Sequence, residues 1–126
     1  PSITHQAPAF ARGMTGQQLS CVVAPLMKPL CINAGPGSGK TRTLISRMCY
    51  CTEYCRVDPR SILAFTFTKA ATQEIKDRCQ DVCGERVASQ MNIQNFHAFC
   101  LQILMRHCGQ YDVLGRGRSD LAVLSA

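Results

Sequence analysis

Lys40 and Thr41 stand directly behind a glycine-rich stretch, Ala34-Gly35-Pro36-Gly37-Ser38-Gly39. Residue types in that order suit the holding of phosphate. Gly35, Gly37 and Gly39 lack a Cβ, so the backbone there can take positive φ and curl its N–H groups around an anion. Lys40 would reach β- and γ-phosphate oxygens as a point charge, and the Thr41 hydroxyl would ligate Mg²⁺. A helix starting near Gly39 would add the positive end of its dipole at the same spot. The chemistry implied is the binding of a nucleoside triphosphate. The plainer alternative is a glycine-rich loop that only turns the chain.

Such a loop works when a strand delivers it and a helix receives it. Leu30-Cys31-Ile32 is predicted to be a buried strand, and Leu44, Ile45, Met48 and Cys49 fall on one helical face after the loop, with Arg42 and Arg47 off that stripe. Val57-Asp58-Pro59-Arg60 reads as a turn, because Pro59 disfavours helical geometry at Asp58. Ile62 to Phe67 follows as a second strand, apolar enough to be buried on both faces. Strand, helix and strand around a phosphate loop predict a right-handed βαβ unit and a parallel sheet flanked by helices. That is an α/β fold of the P-loop NTPase class.

The flanking segments carry local signals. Residues 1–13 show no periodicity and read as a disordered lead-in, with an ordered domain expected over 14–110. Thr15 and Gln18 form a capping-box pair ahead of Leu19, Val22, Val23 and Leu26, and Pro25 and Pro29 bound that helix. Gln18 admits two readings: it bonds the cap backbone, or its amide reads the N6 and N7 edge of adenine. Thr68 caps a second helix after the loop, with Ala71, Ile75, Cys79 and Val82 as its buried face and Gly84 at its end. Residues 85–90 read as a short polar connection, and Met91-Asn92-Ile93 as a third brief strand. Phe96 to His107 is predicted helical, with Phe99, Cys100, Ile103 and Leu104 inward and Gly109 closing it; 111–126 reads as a flexible tail.

Fourteen Lys and Arg against eight Asp and Glu leave a charge of +6, which favours an anionic partner, nucleic acid first, although a merely basic soluble protein has the same balance. No apolar run approaches the roughly 18 residues of a membrane span, so no membrane partner is expected. The first ten residues lack the charged and apolar regions of a signal peptide. Nine cysteines are many. Cys49, Cys51 and Cys55 with Cys79 and Cys83 are conceivable metal ligands, but no C-x2-C pair exists, and His97 with Cys100 has no partner pair. The expectation is reduced thiols packed as small hydrophobes in an intracellular reducing compartment.

Four blocks, in order, resemble the superfamily 1 DNA helicases of the UvrD, Rep and PcrA kind, with their RecB and AddA relatives. Met14-Thr15-Gly16-Gln17-Gln18 resembles the "LNxxQ" Q motif, with Met and Thr in place of Leu and Asn. Ala34 to Arg42, AGPGSGKTR, resembles motif I with its trailing Arg. Leu63 to Arg78 resembles motif Ia in the RecB-like form that lacks the Asn before Lys. Ile93 to Leu104 resembles motif Ib, usually "GTFHSFC"; Asn95 stands where the family has Thr, and Ala98 lacks the family's Ser hydroxyl. The resemblance implies a RecA-like motor domain using ATP and Mg²⁺, with single-stranded DNA as partner. It implies a nucleotide site of Gln18, Ala34, Gly35, Pro36, Gly37, Ser38, Gly39, Lys40, Thr41 and Arg42, with Lys40 and Thr41 catalytic, Thr41 on Mg²⁺ and Arg42 against the base. It also implies a DNA track of Thr66, Phe67, Thr68, Lys69, Asn95 and His97. Phe67 would stack on a base or, alternatively, pack in the core.

Hydrolysis needs an acidic pair at the end of a core strand and arginines from a second motor domain. No apolar run here ends in Asp-Glu. The chain therefore reads as an incomplete motor domain, the N-terminal part of the first of two, that binds nucleotide without turning it over. A small P-loop kinase and a non-enzymatic nucleic-acid-binding module are the alternatives. The expected location is nuclear in a eukaryote and cytoplasmic or nucleoid in a bacterium.

Overall fold

A computed structural model describes residues 7–107. The expectations for residues 1–6, for Gly109 and for the tail from 111 lie outside the described residues. Among the described residues there are five α-helices: α1 (Gly16–Val22), α2 (Lys40–Glu53), α3 (Lys69–Cys83), α4 (Glu85–Ala88) and α5 (Phe96–His107). Two strands, β1 (Leu63–Thr66) and β2 (Asn92–Asn95), pair in parallel with Leu63 opposite Asn92 and Thr66 opposite Asn95. Helices and a parallel pair make a mixed architecture in which α3 is the crossover between β1 and β2.

Capping chemistry sets several boundaries. The Thr15 hydroxyl accepts from the Gln18 amide at 3.3 Å while Gln18 Oε1 accepts from the Thr15 amide at 3.0 Å, a complete capping box. The Thr68 hydroxyl accepts from the Ala71 amide at 3.1 Å and starts α3, and Gly84 ends it at φ 84°. The Pro59 turn is a 3-10 turn over Pro59–Ser61, with Asp58 capping it through the Arg60 amide.

The core lies between α2, α3 and one face of the sheet: Val22, Ile45, Met48, Cys49, Ile75, Cys79, Ala64 and Ile93 are buried together with Phe10, Ala88 and Met91. Phe10 belongs to the expected disordered lead-in. Ala9–Ala11 there form a 3-10 turn, and the Phe10 ring meets Tyr50 and Tyr54 edge-on at 5.6 and 5.3 Å. One aromatic ring buries enough area to hold a short aperiodic segment, which no repeat in the sequence announces.

Other expectations are corrected. Leu30-Cys31-Ile32 is not a buried strand: residues 29–35 have no regular structure, and Leu30 and Cys31 are exposed. Among the described residues nothing pairs with that segment, and an extended segment with no neighbour has no ladder to join. The βαβ arrangement therefore spans β1, α3 and β2 rather than the elements around the glycine loop. β1 is not covered on both faces; Ala64 and Thr66 face the core, Leu63 and Phe65 the other way. Residues 85–90 are not simply a connection, since Glu85–Ala88 form a helical turn. Leu44 is exposed while Thr43 and Ser46 are buried, and α5 buries none of its residues. Cys49 and Cys83 are joined in a disulfide between α2 and α3, so the expectation of wholly reduced cysteines does not hold for this pair.

Candidate functional site

The glycine loop ends at the N-terminus of α2. Gly37 has φ 72° and Gly39, the residue preceding Lys40, has φ 82°, both in the left-handed region that a Cβ disfavours. The Ser38 amide donates to the Gly35 carbonyl at 3.3 Å, and the Ser38 hydroxyl bonds the same carbonyl, which folds the loop back on itself. Ala34 is half-buried, and Gly35, Pro36, Gly37, Ser38 and Lys40 are exposed. The amides of the first turn of α2 have no intrahelical acceptor, and they point toward the loop's side of the helix. Thr41 is half-buried in that turn, and Lys40 forms no salt bridge among the described residues.

Open space lies beside the loop. A Cβ added at Gly35 or Gly37 would meet nothing within 4 Å, so space for an anion lies open beside the backbone. Gly39 is different: a Cβ there would come within 2.7 Å of Gln18 Nε2. Gln18 reaches it because Nε2 donates to the Ser38 carbonyl at 3.1 Å while Oε1 stays in the capping box. Both ends of one amide are thus in use, tying α1 to the glycine loop. The amide nitrogen retains a second N–H for another acceptor.

Arg42 stands in the first turn of α2, yet its side chain turns away from the loop. Nη2 donates to the Arg12 carbonyl, and the side chain walls a cavity of about 230 Å³ with Ala9, Phe10, Ile45, Ser46, Arg78, Asp81 and Val82. Arg47, one further turn along α2, is a residue with a role that spacing did not reveal. Nη1 donates to the carbonyls of Cys21, Val22 and Ala24 at 3.0, 3.1 and 2.9 Å. Its partners lie more than 20 positions away in the chain, beyond any local signal.

The second group of expected residues gathers at the C-terminal ends of the strands. Phe67 is 82% exposed and stands 6.3 Å from the Phe96 ring, so the core-packing alternative for Phe67 is excluded by its position. Phe65 meets Phe99 at 4.7 Å and Phe96 at 5.7 Å on the same side of the sheet. Asn95 holds two elements together: Nδ2 donates to the Phe67 carbonyl at 3.0 Å and Oδ1 accepts from the His97 amide at 2.8 Å. His97 is exposed, its ring edge-on to Phe96. Thr66 is buried, and its hydroxyl donates to the Thr68 carbonyl at 3.0 Å and contacts the Thr72 hydroxyl, so it faces inward rather than to solvent. Thr68 and Lys69 are exposed at the start of α3, beside a cavity of about 300 Å³ that Lys69, Lys76, Gln94 and Asn95 help to line. Among the described residues no three His, Cys, Asp or Glu side chains converge as a metal site, and no helix is long and apolar enough to cross a membrane.

A glycine loop at a helix start and, separately, a parallel strand pair ending in exposed aromatic, hydroxyl and basic residues are the two features in hand. The chain belongs to the family described as the UvrD/REP helicase N-terminal domain, whose model matches residues 14–122. It is 41% identical over 98 residues to the ATP-dependent DNA helicase PcrA of Staphylococcus epidermidis, a match covering 78% of this chain and 13% of that protein. Over 78 residues it is 44% identical to the ATP-dependent DNA helicase PcrA of Staphylococcus aureus, covering 62% of this chain and 10% of that protein. The chain thus spans no more than 13% of the length of these relatives.

Proposed function

We propose that this chain is the nucleotide-binding part of an ATP-dependent DNA helicase or translocase, with a RecA-like P-loop fold, and that it contributes to a single-stranded DNA track. The observation that carries this reading is the junction at Gly39 and Lys40, left-handed glycine backbone running straight into a helix start, in a chain of the UvrD/REP family. The backbone from Ala34 to Gly39 cradles the β- and γ-phosphates, Lys40 neutralises them, and Gln18 contacts the adenine. Arg42 would have to leave the Arg12 carbonyl to reach the base. The Thr41 hydroxyl would hold Mg²⁺, which would supply charge neutralisation on the phosphates.

On the other side, Phe67 stacks on an unpaired base, while Thr68, Lys69, Asn95 and His97 contact phosphates. Thr66 supports that surface from inside rather than touching DNA. A second RecA-like motor domain would complete the machine, opening and closing a cleft as nucleotide is consumed. In this reading hydrolysis also calls on an acidic pair to hold Mg²⁺ and on arginines from the second motor domain. Family membership favours this reading over a small kinase.

Two titrations test it. Lys40→Ala should remove binding of a fluorescent ATP analogue. Phe67→Ala should weaken binding to a single-stranded oligonucleotide by about tenfold, the effect of a stacking contact worth about 1–3 kcal/mol. Unchanged affinity in the first would end the nucleotide assignment, and in the second the DNA assignment.

A further inference from the structure

Helix α1 has only seven residues, too few to stand in water by itself. Its N-terminus is closed by the capping box, and its C-terminus leaves carbonyls without intrahelical donors. The Arg47 guanidinium fills that gap. Besides the three carbonyls met by Nη1, Nη2 lies 3.5 Å from the Pro25 carbonyl, so one planar group gathers the whole turn from Cys21 to Pro25. A positive charge at a helix C-terminus is also favoured by the helix dipole. Lysine, a point charge without the planar fork, reproduces only part of this.

The same helix carries Gln18, and α2 carries both Arg47 and, at its head, the phosphate-holding Lys40. Helix α1 is thus tied to the loop-and-helix unit at two places, Gln18 on Ser38 at one end and Arg47 at the other. We infer that Arg47 is a positioning residue for base recognition: it fixes α1 against α2, and so holds the Gln18 amide at a set height above the phosphate loop. This rests on the reading of Gln18 as the adenine contact. Arg47 touches no nucleotide; it acts on the base end of the site and not on the phosphate end.

The test compares two ligands on the full chain, ATP and inorganic tripolyphosphate, for wild type, Arg47→Gln and Arg47→Lys. Arg47→Gln should weaken ATP by about tenfold and leave tripolyphosphate unchanged, with Arg47→Lys in between. Hydrogen exchange without ligand should quicken at the Leu19 to Val23 amides in Arg47→Gln and stay unchanged in α2. Equal losses for both ligands, or no loss for either, would overturn the inference, as would unchanged exchange in α1. Failure of the nucleotide reading itself shows differently, as wild type binding neither ligand or as Gln18→Ala leaving ATP affinity intact.

Discussion

Helices α2 and α5 are similar in length, 14 and 12 residues, and treat their side chains in opposite ways. Helix α2 buries Thr43, Ile45, Ser46, Met48 and Cys49. Helix α5, FHAFCLQILMRH, is the more apolar of the two and buries nothing, leaving Phe96, Ile103 and Leu104 exposed. Apolar content therefore does not decide burial here; the number of sides from which neighbours approach does. Helix α2 is packed by α1, α3 and the turn at Ala9–Ala11, whereas α5 rests on the end of β2 and on the Phe65 ring. Hydroxyls are tolerated inside α2 because they are satisfied, as Thr43 is by the Gly39 carbonyl at 3.0 Å.

That contrast can be broken or sharpened by experiment. The largest effect is expected from reducing the Cys49–Cys83 bridge, which ties α2 to α3 across 34 positions. Loop entropy for a closure of that length puts the loss of stability at about 4 kcal/mol, read as the shift in urea midpoint with and without a thiol reductant. No shift would mean that packing alone holds the two helices. Ile45→Ala, at a site 2% exposed, should cost about 3 kcal/mol in the same assay, and a cost near zero would undo the picture of α2 as the packed helix.

Cys79 gives a pH test of the same core. Burial pushes its thiol from the ordinary 9.0 up to about 11. A raised folded value means that stability is full below about pH 9 and falls as pH rises toward about 11, since the unfolded chain loses its proton first. Urea midpoints measured across that range should decline, and Cys79→Ala should flatten the decline; an equal slope in the variant would contradict it. The smallest effect belongs to α5: Ile103→Ala should change stability by less than about 0.5 kcal/mol. A loss as large as that of Ile45→Ala would show α5 to be as firmly packed as α2.

Signals confined to three or four residues were readable in the chain. The Thr15 and Gln18 capping box, the Thr68 cap, the Gly84 stop and the helix start after Gly39 all fall where residue types put them. Each depends on a hydrogen bond or a φ angle that neighbours in sequence decide. The glycine loop and its Lys-Thr pair were legible for the same reason. The expected strand at Leu30 to Ile32 was not borne out, because a strand exists only by virtue of a partner, and composition does not say where the partner is. Of the stripe expected in helix α5, Phe99 and Cys100 are half-buried while Ile103 and Leu104 stay exposed among the described residues.

What the sequence determined alone is therefore a set of local conformations and a list of chemical groups: where helices begin, where glycine must bend, which residues could grip phosphate. Only the tertiary structure decided that Phe10 enters the core, that Cys49 meets Cys83, that Gln18 bonds Ser38, and that Arg47 closes the far end of α1. The physical reason is range. Those contacts join positions 20 or more apart, where nothing in the intervening residue types fixes the meeting, and only the mutual packing of whole elements brings the partners within bonding distance.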